Sequence, residues 1–432
     1  MVVTKLRSSL ERNQVLFTIF ASLAAFSCYY CMYAFRRPFA AAGYEDALLQ
    51  VSIGGRLIEA KTIFLIAQVL GYCVSKFAGV KICSELPRGR LGVALLICIV
   101  ISWLALLGFA ALPVGWKPVA LLFNGMPLGI IWGLVVRYLE GRKVSELLLA
   151  ALSCSYILAS GEVKRVGAWL LEKGVDEYWM PFTTGALFVV PFAVSVGLLS
   201  LLPPPSAEDE MLRARRQVMK RDDRLAFAKR FLPGLVILCF FYLFLTAYRD
   251  FRDSYQSDLF AELGIADAAA FSRTERPVAL GVMLLLGLAF LVKGARRGLA
   301  TVYLLMMGGM LVLGISTLLY GAGKIGGETW MMASGFGAYL TYVPFGSVLF
   351  DRIIAATRFT GTAVFAIYVA DALGYSGSVG VMLYRDVFQG ELSRLTFFRD
   401  FSLWLAFGGL PLLLAASVYF LGHAKPAPGT EE

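Results

Sequence analysis

Histidine is almost missing from this chain: there is one in 432 residues, at position 423 in the C-terminal tail. No histidine can therefore relay protons through the apolar body of the protein. Charge is scarce too, with Asp, Glu, Lys and Arg making up 16% of residues against about a quarter in soluble domains. Of seven cysteines, only Cys28 and Cys31 form a CxxC, with no second pair and no histidine beside them. They read as small apolar helix residues, with a redox or metal role as the alternative. No Gly-rich phosphate loop, metal-ligand cluster or nucleophile–base set is visible, so nothing points to an ATP-driven pump or an enzyme, and no cofactor or metal is expected. Period-two alternation is absent as well, which argues against an outer-membrane barrel.

What the chain has is long apolar runs; 58% of its residues are hydrophobic. The runs predict an all-α membrane protein with twelve transmembrane helices near 14–40, 60–79, 91–112, 118–138, 146–170, 180–202, 231–255, 276–294, 299–321, 329–350, 360–384 and 400–421, each close to the roughly 20 residues that cross the hydrocarbon. The first run is long for a cleavable signal and no small-residue cleavage site follows it. The net charge of +10 falls in alternate loops. Lys5, Arg7 and Arg12 precede the first span, Lys81, Arg88 and Arg90 follow the second, and Arg142 and Lys143 follow the fourth. Eight basic residues from Arg213 to Arg230 follow the sixth, and Lys293, Arg296 and Arg297 follow the eighth. The intervening loops are neutral or acidic, so both termini are expected in the cytoplasm, in a plasma membrane and most simply a bacterial inner membrane. The basic excess reports orientation and contact with the lipid bilayer; no nucleic-acid partner is expected.

The polar stretch 203–230 separates six spans from six, giving expected domains of 1–202 and 231–432 joined by a cytoplasmic linker. Features recur across it. Tyr29, Tyr33 and Arg36 are spaced i, i+4, i+7, and Tyr242, Thr246 and Arg249 repeat the spacing 213 positions later (249 minus 36). Met126-Pro127-Leu128-Gly129 is echoed by Val343-Pro344-Phe345-Gly346, where kinks and close packing are expected. Two pseudo-symmetric six-helix bundles follow, as in transporters built from parallel repeats.

An arginine inside a span costs roughly 2.5–3.5 kcal/mol on insertion scales and is kept where it faces an interior or an aqueous cavity. Arg36 and Arg249 are thus the leading candidates for an anion site, since a guanidinium fork matches phosphate or carboxylate oxygens. The alternative for each is snorkelling from a span end. Two such charges about 10 Å apart repel by roughly 1–2 kcal/mol at an effective dielectric near 20, and a dianion between them would reverse that repulsion and favour closure. Arg37 points about 100° away and reads as a helper or rim charge. Lys76 shares a helical face with Gln68 and Tyr72 and would add a third positive charge, or snorkel to the nearby loop. Asp371, spaced with Tyr368 and Tyr375, is either a proton-coupling carboxylate or a partner for Arg249 or Lys76. Glu162 and Arg165, at i and i+3, are expected to pair. Glu275 and Asp253 are expected to balance charge around the seventh span.

The layout resembles the major facilitator superfamily. YYCMYAFRRPFAAA (29–42) looks like the first-helix motif of the organophosphate:phosphate antiporters, the glycerol-3-phosphate and hexose-phosphate transporters. VSKFAGVKICSELPRGR (74–90), NGMPLGIIWGLVVRYLEGRKVSE (124–146), YLFLTAYRDFRDSY (242–255) and ALGYSGSVG (372–380) are similar to later parts of that family. The resemblance implies a monomeric transporter of a small anionic substrate, an organophosphate exchanged for phosphate by alternating access, with Tyr29, Tyr33, Lys76, Tyr156 and Tyr242 beside the two arginines. Tyr156 stands where that family has a histidine, and Asp371 and the charged run 249–253 depart from its pattern. Two other readings stay open: proton-coupled transport of a carboxylate or other organic anion through Asp371, and a sugar-phosphate sensor of the same fold that does not transport.

Overall fold

The computed structural model describes residues 2–45, 49, 51–53, 55–140, 142, 144–206, 209, 221–359 and 364–424. Residues 207, 208 and 210–220 of the expected cytoplasmic linker lie outside the described residues. The chain divides into two compact units: Met1–Ser206 with Phe251–Ala279 and Val379–Phe397, and Ala207–Asp250 with Leu280–Ser378 and Phe398–Glu432.

The first unit contains α1 (Val2–Arg12), α2 (Gln14–Tyr33), α3 (Ala60–Glu85), α4 (Leu91–Ala111), α5 (Lys117–Leu139), α6 (Ser145–Glu172) and α7 (Met180–Ser200). A short antiparallel hairpin, β1 (Val51–Ile53) and β2 (Arg56–Ile58), precedes α3. Helix α8 (Arg221–Ser254) runs through the second unit and ends in the first, followed there by α9 (Gln256–Glu262) and the opening turns of α10 (Ala269–Phe290). The second unit holds α11 (Ala295–Gly321), α12 (Gly327–Ser347), α13 (Leu349–Thr357), most of α14 (Val364–Phe388) and most of α15 (Arg394–Gly422).

Each expected span overlaps a helix of at least 20 residues. Among the described residues eight helices are long and apolar enough to cross a membrane: α2, α4, α5, α6, α7, α8, α11 and α15. Helices α3, α10, α12 and α14 occupy the other four positions. Two of these carry conspicuous polar groups along their length: Lys61, Gln68 and Lys76 on α3, and Arg273, Glu275 and Arg276 on α10. The face of α2 carrying Val15, Ile19 and Leu23 is exposed, as a lipid-facing stripe should be, while Ala21, Ala25, Cys28 and Met32 are buried. Cys28 and Cys31 are free thiols within this packing.

Glycines set how closely helices approach. In the first unit a Cβ on Gly125 would strike the Gln68 carbonyl, and one on Gly129 would lie 2.7 Å from the Tyr72 carbonyl, so α5 lies backbone to backbone against α3. This is the packing expected around Pro127. The echo at Pro344 behaves differently. Gly346 faces open space, and the chain leaves helical geometry at Val348 before α13. In the second unit the close approach falls instead at Gly337 and Gly309, between α12 and α11, and at Gly374 and Gly377, where α14 meets Thr246 and Leu243 of α8. At the loop before α10, Arg273 grips Asp267 through two hydrogen bonds of 3.1 and 3.0 Å and holds that carboxyl below its ordinary range.

Candidate functional site

Helix α2 stops at Tyr33, short of the expected residue 40, and Arg36 sits on the following turn. Pro38, which has no N–H to donate, helps end the helix and opens a 3-10 turn, Pro38–Ala41. Ending a helix among buried residues, as Tyr33, Ala34, Phe35 and Arg36 are, leaves carbonyls that water cannot satisfy. Asn124 supplies the remedy: its Nδ2 donates to the Phe35 carbonyl at 3.0 Å and to the Ser102 carbonyl at 2.9 Å. Gln68 Nε2 donates to the Arg36 carbonyl at 3.0 Å and to Asn124 Oδ1 at 2.7 Å. Buried amides from α3 and α5 thus fix the backbone that carries Arg36.

From this turn the Arg36 guanidinium lies over the Tyr72 ring, 4.1 Å from its centroid, and 5.8 Å from that of Tyr33. Lys76 approaches the same Tyr72 ring at 5.3 Å. Two cations therefore share one aromatic platform, each gaining roughly 0.5–2 kcal/mol from the ring according to its desolvation. Tyr29 packs edge-on to Tyr33 and to Trp132 (5.6 and 4.9 Å between centroids), and Trp132 continues to Tyr156 at 6.4 Å. All five expected site residues of the first half, Arg36, Tyr29, Tyr33, Lys76 and Tyr156, belong to this one aromatic and cationic wall.

The second unit repeats the theme with a different charge balance. Arg249 lies 4.2 Å over the Tyr342 ring, and Tyr342 stacks on Tyr242 at 5.4 Å. Tyr242 donates its hydroxyl to Asp371 Oδ1 at 2.8 Å. Arg249 is also paired with its sequence neighbour Asp250 at 2.5 Å, and Asp250 accepts from the Ser378 hydroxyl at 2.7 Å. The simple picture of two cations awaiting a dianion needs correction here, because Asp250 offsets the charge of Arg249. The side chain of Tyr368, expected beside Asp371, lies outside the described side chains.

A third group is buried in the first unit. Arg37 is 3% exposed, so it is not a rim charge. Its Nε lies 2.8 Å from Asp253 Oδ2, and its NH1 donates to Ser254 Oγ at 3.1 Å. Asp253 also binds Lys164 at 2.6 Å and accepts from the Ser160 hydroxyl. Glu275 pairs with Arg252 at 2.8 Å and accepts from Gln256 Nε2 at 2.9 Å. Asp253 thus faces two cations, Arg37 and Lys164, and Glu275 faces Arg252. Glu162 pairs with Arg165 at 3.6 Å, as its spacing predicts, and also with Arg276 of α10. Near the hairpin, Lys61 and Arg394 share Asp258 at 2.5 and 2.8 Å, and Arg385 reaches Glu59 at 2.7 Å. Among the described residues no group of three or more His, Cys, Asp or Glu side chains could hold a metal ion.

The model of one protein family matches residues 38–423. The chain belongs to the DUF5690 family. That family is described as one of unknown function, and no curated protein matches this DUF5690 chain. Solved structures do match it. A D-xylose–proton symporter is 15% identical, with 93% of this chain and 96% of that one covered and a TM-score of 0.59. A bacterial homologue of the human drug peptide transporters PepT1 and PepT2 is 12% identical, with coverage of 94% and 98% and a TM-score of 0.61. The nucleoside transporter NupG is 13% identical, with coverage of 93% and 98% and a TM-score of 0.57. At such identities the likeness shows the fold alone: this DUF5690 chain has the major facilitator fold, and among its described residues eight helices are long and apolar enough to cross a membrane.

Sequence reasoning about the DUF5690 chain missed Asn124, Trp132, Tyr342 and Gln256 as parts of these constellations. Asn124 and Gln256 carried a signal, as amides beside apolar runs. Trp132 and Tyr342 carried none that separates them from ordinary packing residues.

Proposed function

We propose that this protein is a secondary transporter that moves a small organic anion across the membrane by alternating access, with both termini in the cytoplasm. The observation that carries the reading is Arg36: a buried guanidinium on a turn built by Asn124 and Gln68, stacked on Tyr72 beside Lys76. A structural cation needs no such preorganised seat; a recognition group does. The finer reading is an organophosphate exchanged for phosphate. It is supported by the first-helix motif and by two cations converging on one tyrosine, which suits a multiply charged oxyanion. Lipophilic parts of the ligand would meet the Tyr29, Tyr33, Trp132 and Tyr156 rings. Arg249, Tyr242 and Asp371 complete the set of residues we assign to binding and coupling.

One observation favours a second reading. Asp250 neutralises Arg249, and the nearby Asp371 carboxylate receives the Tyr242 hydroxyl, so the second unit contributes a carboxylate rather than a net positive charge. Proton-coupled transport of a carboxylate or other organic anion would use Asp371 as the titrating group. Replacing Asp371 with asparagine separates the two. Phosphate exchange is expected to leave self-exchange and its pH dependence as in the unmodified protein. Proton coupling is expected to leave self-exchange intact while uptake driven by a pH gradient falls to background, and that outcome would retire the exchange reading.

A further inference from the structure

Lys164 sits in the middle of α6, fully buried, and carries no part of the anion site described above. Its ammonium has three donors, and each has an acceptor: Asp253 Oδ1 at 2.6 Å, the Asp253 carbonyl at 3.0 Å, and Gln256 Oε1. All three come from one four-residue stretch at the junction of α8 and α9. The charged groups facing Lys164 from the elements packed against it are Asp253, Arg37 on the turn after α2, and Glu275 on α10; the Phe271 ring lies 5.7 Å away. Gly161, one turn earlier on α6, lets α10 come close, since a Cβ there would lie 2.6 Å from the Phe271 carbonyl and 2.7 Å from Glu275 Cγ.

We propose that Lys164 is a proton-carrying latch: protonated, it bolts the 253–256 segment onto α6, and loss of its proton loosens that segment. The inference rests on the alternating-access reading for its purpose, though not for its test. A charged ammonium fills all three acceptors. A neutral amine has two donors, leaves one buried acceptor empty and withdraws one of the two cations that hold Asp253, which then keeps only Arg37 and Ser160. In the reverse direction, a segment that leaves takes every acceptor with it. An ammonium left without these three acceptors, with Arg37 and Glu275 still facing it, holds its proton less firmly and gives it more readily to water, the nitrogen keeping the electron pair. Opening and proton release are therefore linked, and by linkage low pH favours the latched state while rising pH weakens it.

The latch is tested on the full chain in liposomes, without substrate, with spin-label amino acids at the exposed positions Lys173 and Ala266. Electron–electron distance measurements across a pH series are expected to show a short-distance population at low pH and a longer one that grows several-fold as pH rises. Lys164→Gln is expected to give a distribution that no longer moves with pH, and Lys164→Arg one held at the short distance throughout. Wild-type distances unchanged across the series, or a Lys164→Gln protein that responds to pH like the wild type, would overturn the proposal. A pH response with no substrate flux in separate uptake assays would retain the latch and retire the transport reading.

Discussion

Arg36→Lys is expected to weaken oxyanion binding by roughly 10- to 150-fold, the equivalent of one charge-assisted hydrogen bond of about 1.5–3 kcal/mol. The substitution keeps the charge and removes the planar fork, so two parallel bonds to one phosphate or carboxylate become one. It also replaces a flat group on Tyr72 with a point charge, and Tyr72→Leu should reproduce that smaller part of the loss while Tyr72→Phe should not. The check is thermal shift and calorimetry of the purified protein with inorganic phosphate, glycerol 3-phosphate and succinate. The Gln68–Asn124 seat predicts that the turn stays folded in Arg36→Lys, because the bonds that hold it are to backbone carbonyls. Equal affinity in wild type and Arg36→Lys would mean that the guanidinium does not grip its ligand through two bonds.

Glu275→Ala is expected to cost about 3–5 kcal/mol of folding free energy, the usual penalty for removing one partner of a buried ion pair. Arg252 is 1% exposed and Glu275 2% exposed, so water cannot take the place of the lost carboxylate. Gln256 loses an acceptor in the same step. The double variant Arg252→Met/Glu275→Leu removes both charges and should recover most of the loss, since an apolar pair of similar volume can replace a buried salt bridge at little net cost. Unfolding titrations in mixed detergent micelles measure both. A single variant as stable as the wild type would mean that the Arg252–Glu275 pair is already hydrated in the native protein.

The spans and the arginine that matters could be read from the sequence because both depend on local composition: about twenty apolar residues for a span, and a costly charge inside one. What escaped depends on partners far apart along the chain. Arg37 looked peripheral because a continuous helix would turn it 100° from Arg36. The helix actually ends four residues earlier, and the partner of Arg37, Asp253, lies over two hundred positions away. The early end of α2 is itself a tertiary effect, since it needs Asn124 and Gln68 to satisfy the freed carbonyls. Arg249 shows the opposite limit. Its partner was the adjacent residue, yet neighbours on a helix do not face each other, so only coordinates reveal that the long guanidinium stem folds back to Asp250. The Pro–x–Gly echo was real as sequence, but packing used Gly129 in the first unit and Gly337 in the second.

Counterflow tests the transport account most directly. Liposomes containing the purified protein would be loaded in turn with unlabelled phosphate, glycerol 3-phosphate or succinate and exposed to a trace of the radiolabelled compound outside. The account predicts transient accumulation above equilibrium for at least one of them, reduced to the protein-free level by Arg36→Ala. Binding without counterflow for every compound would identify a sensor of the same fold, and counterflow that survives Arg36→Ala would place the anion site elsewhere.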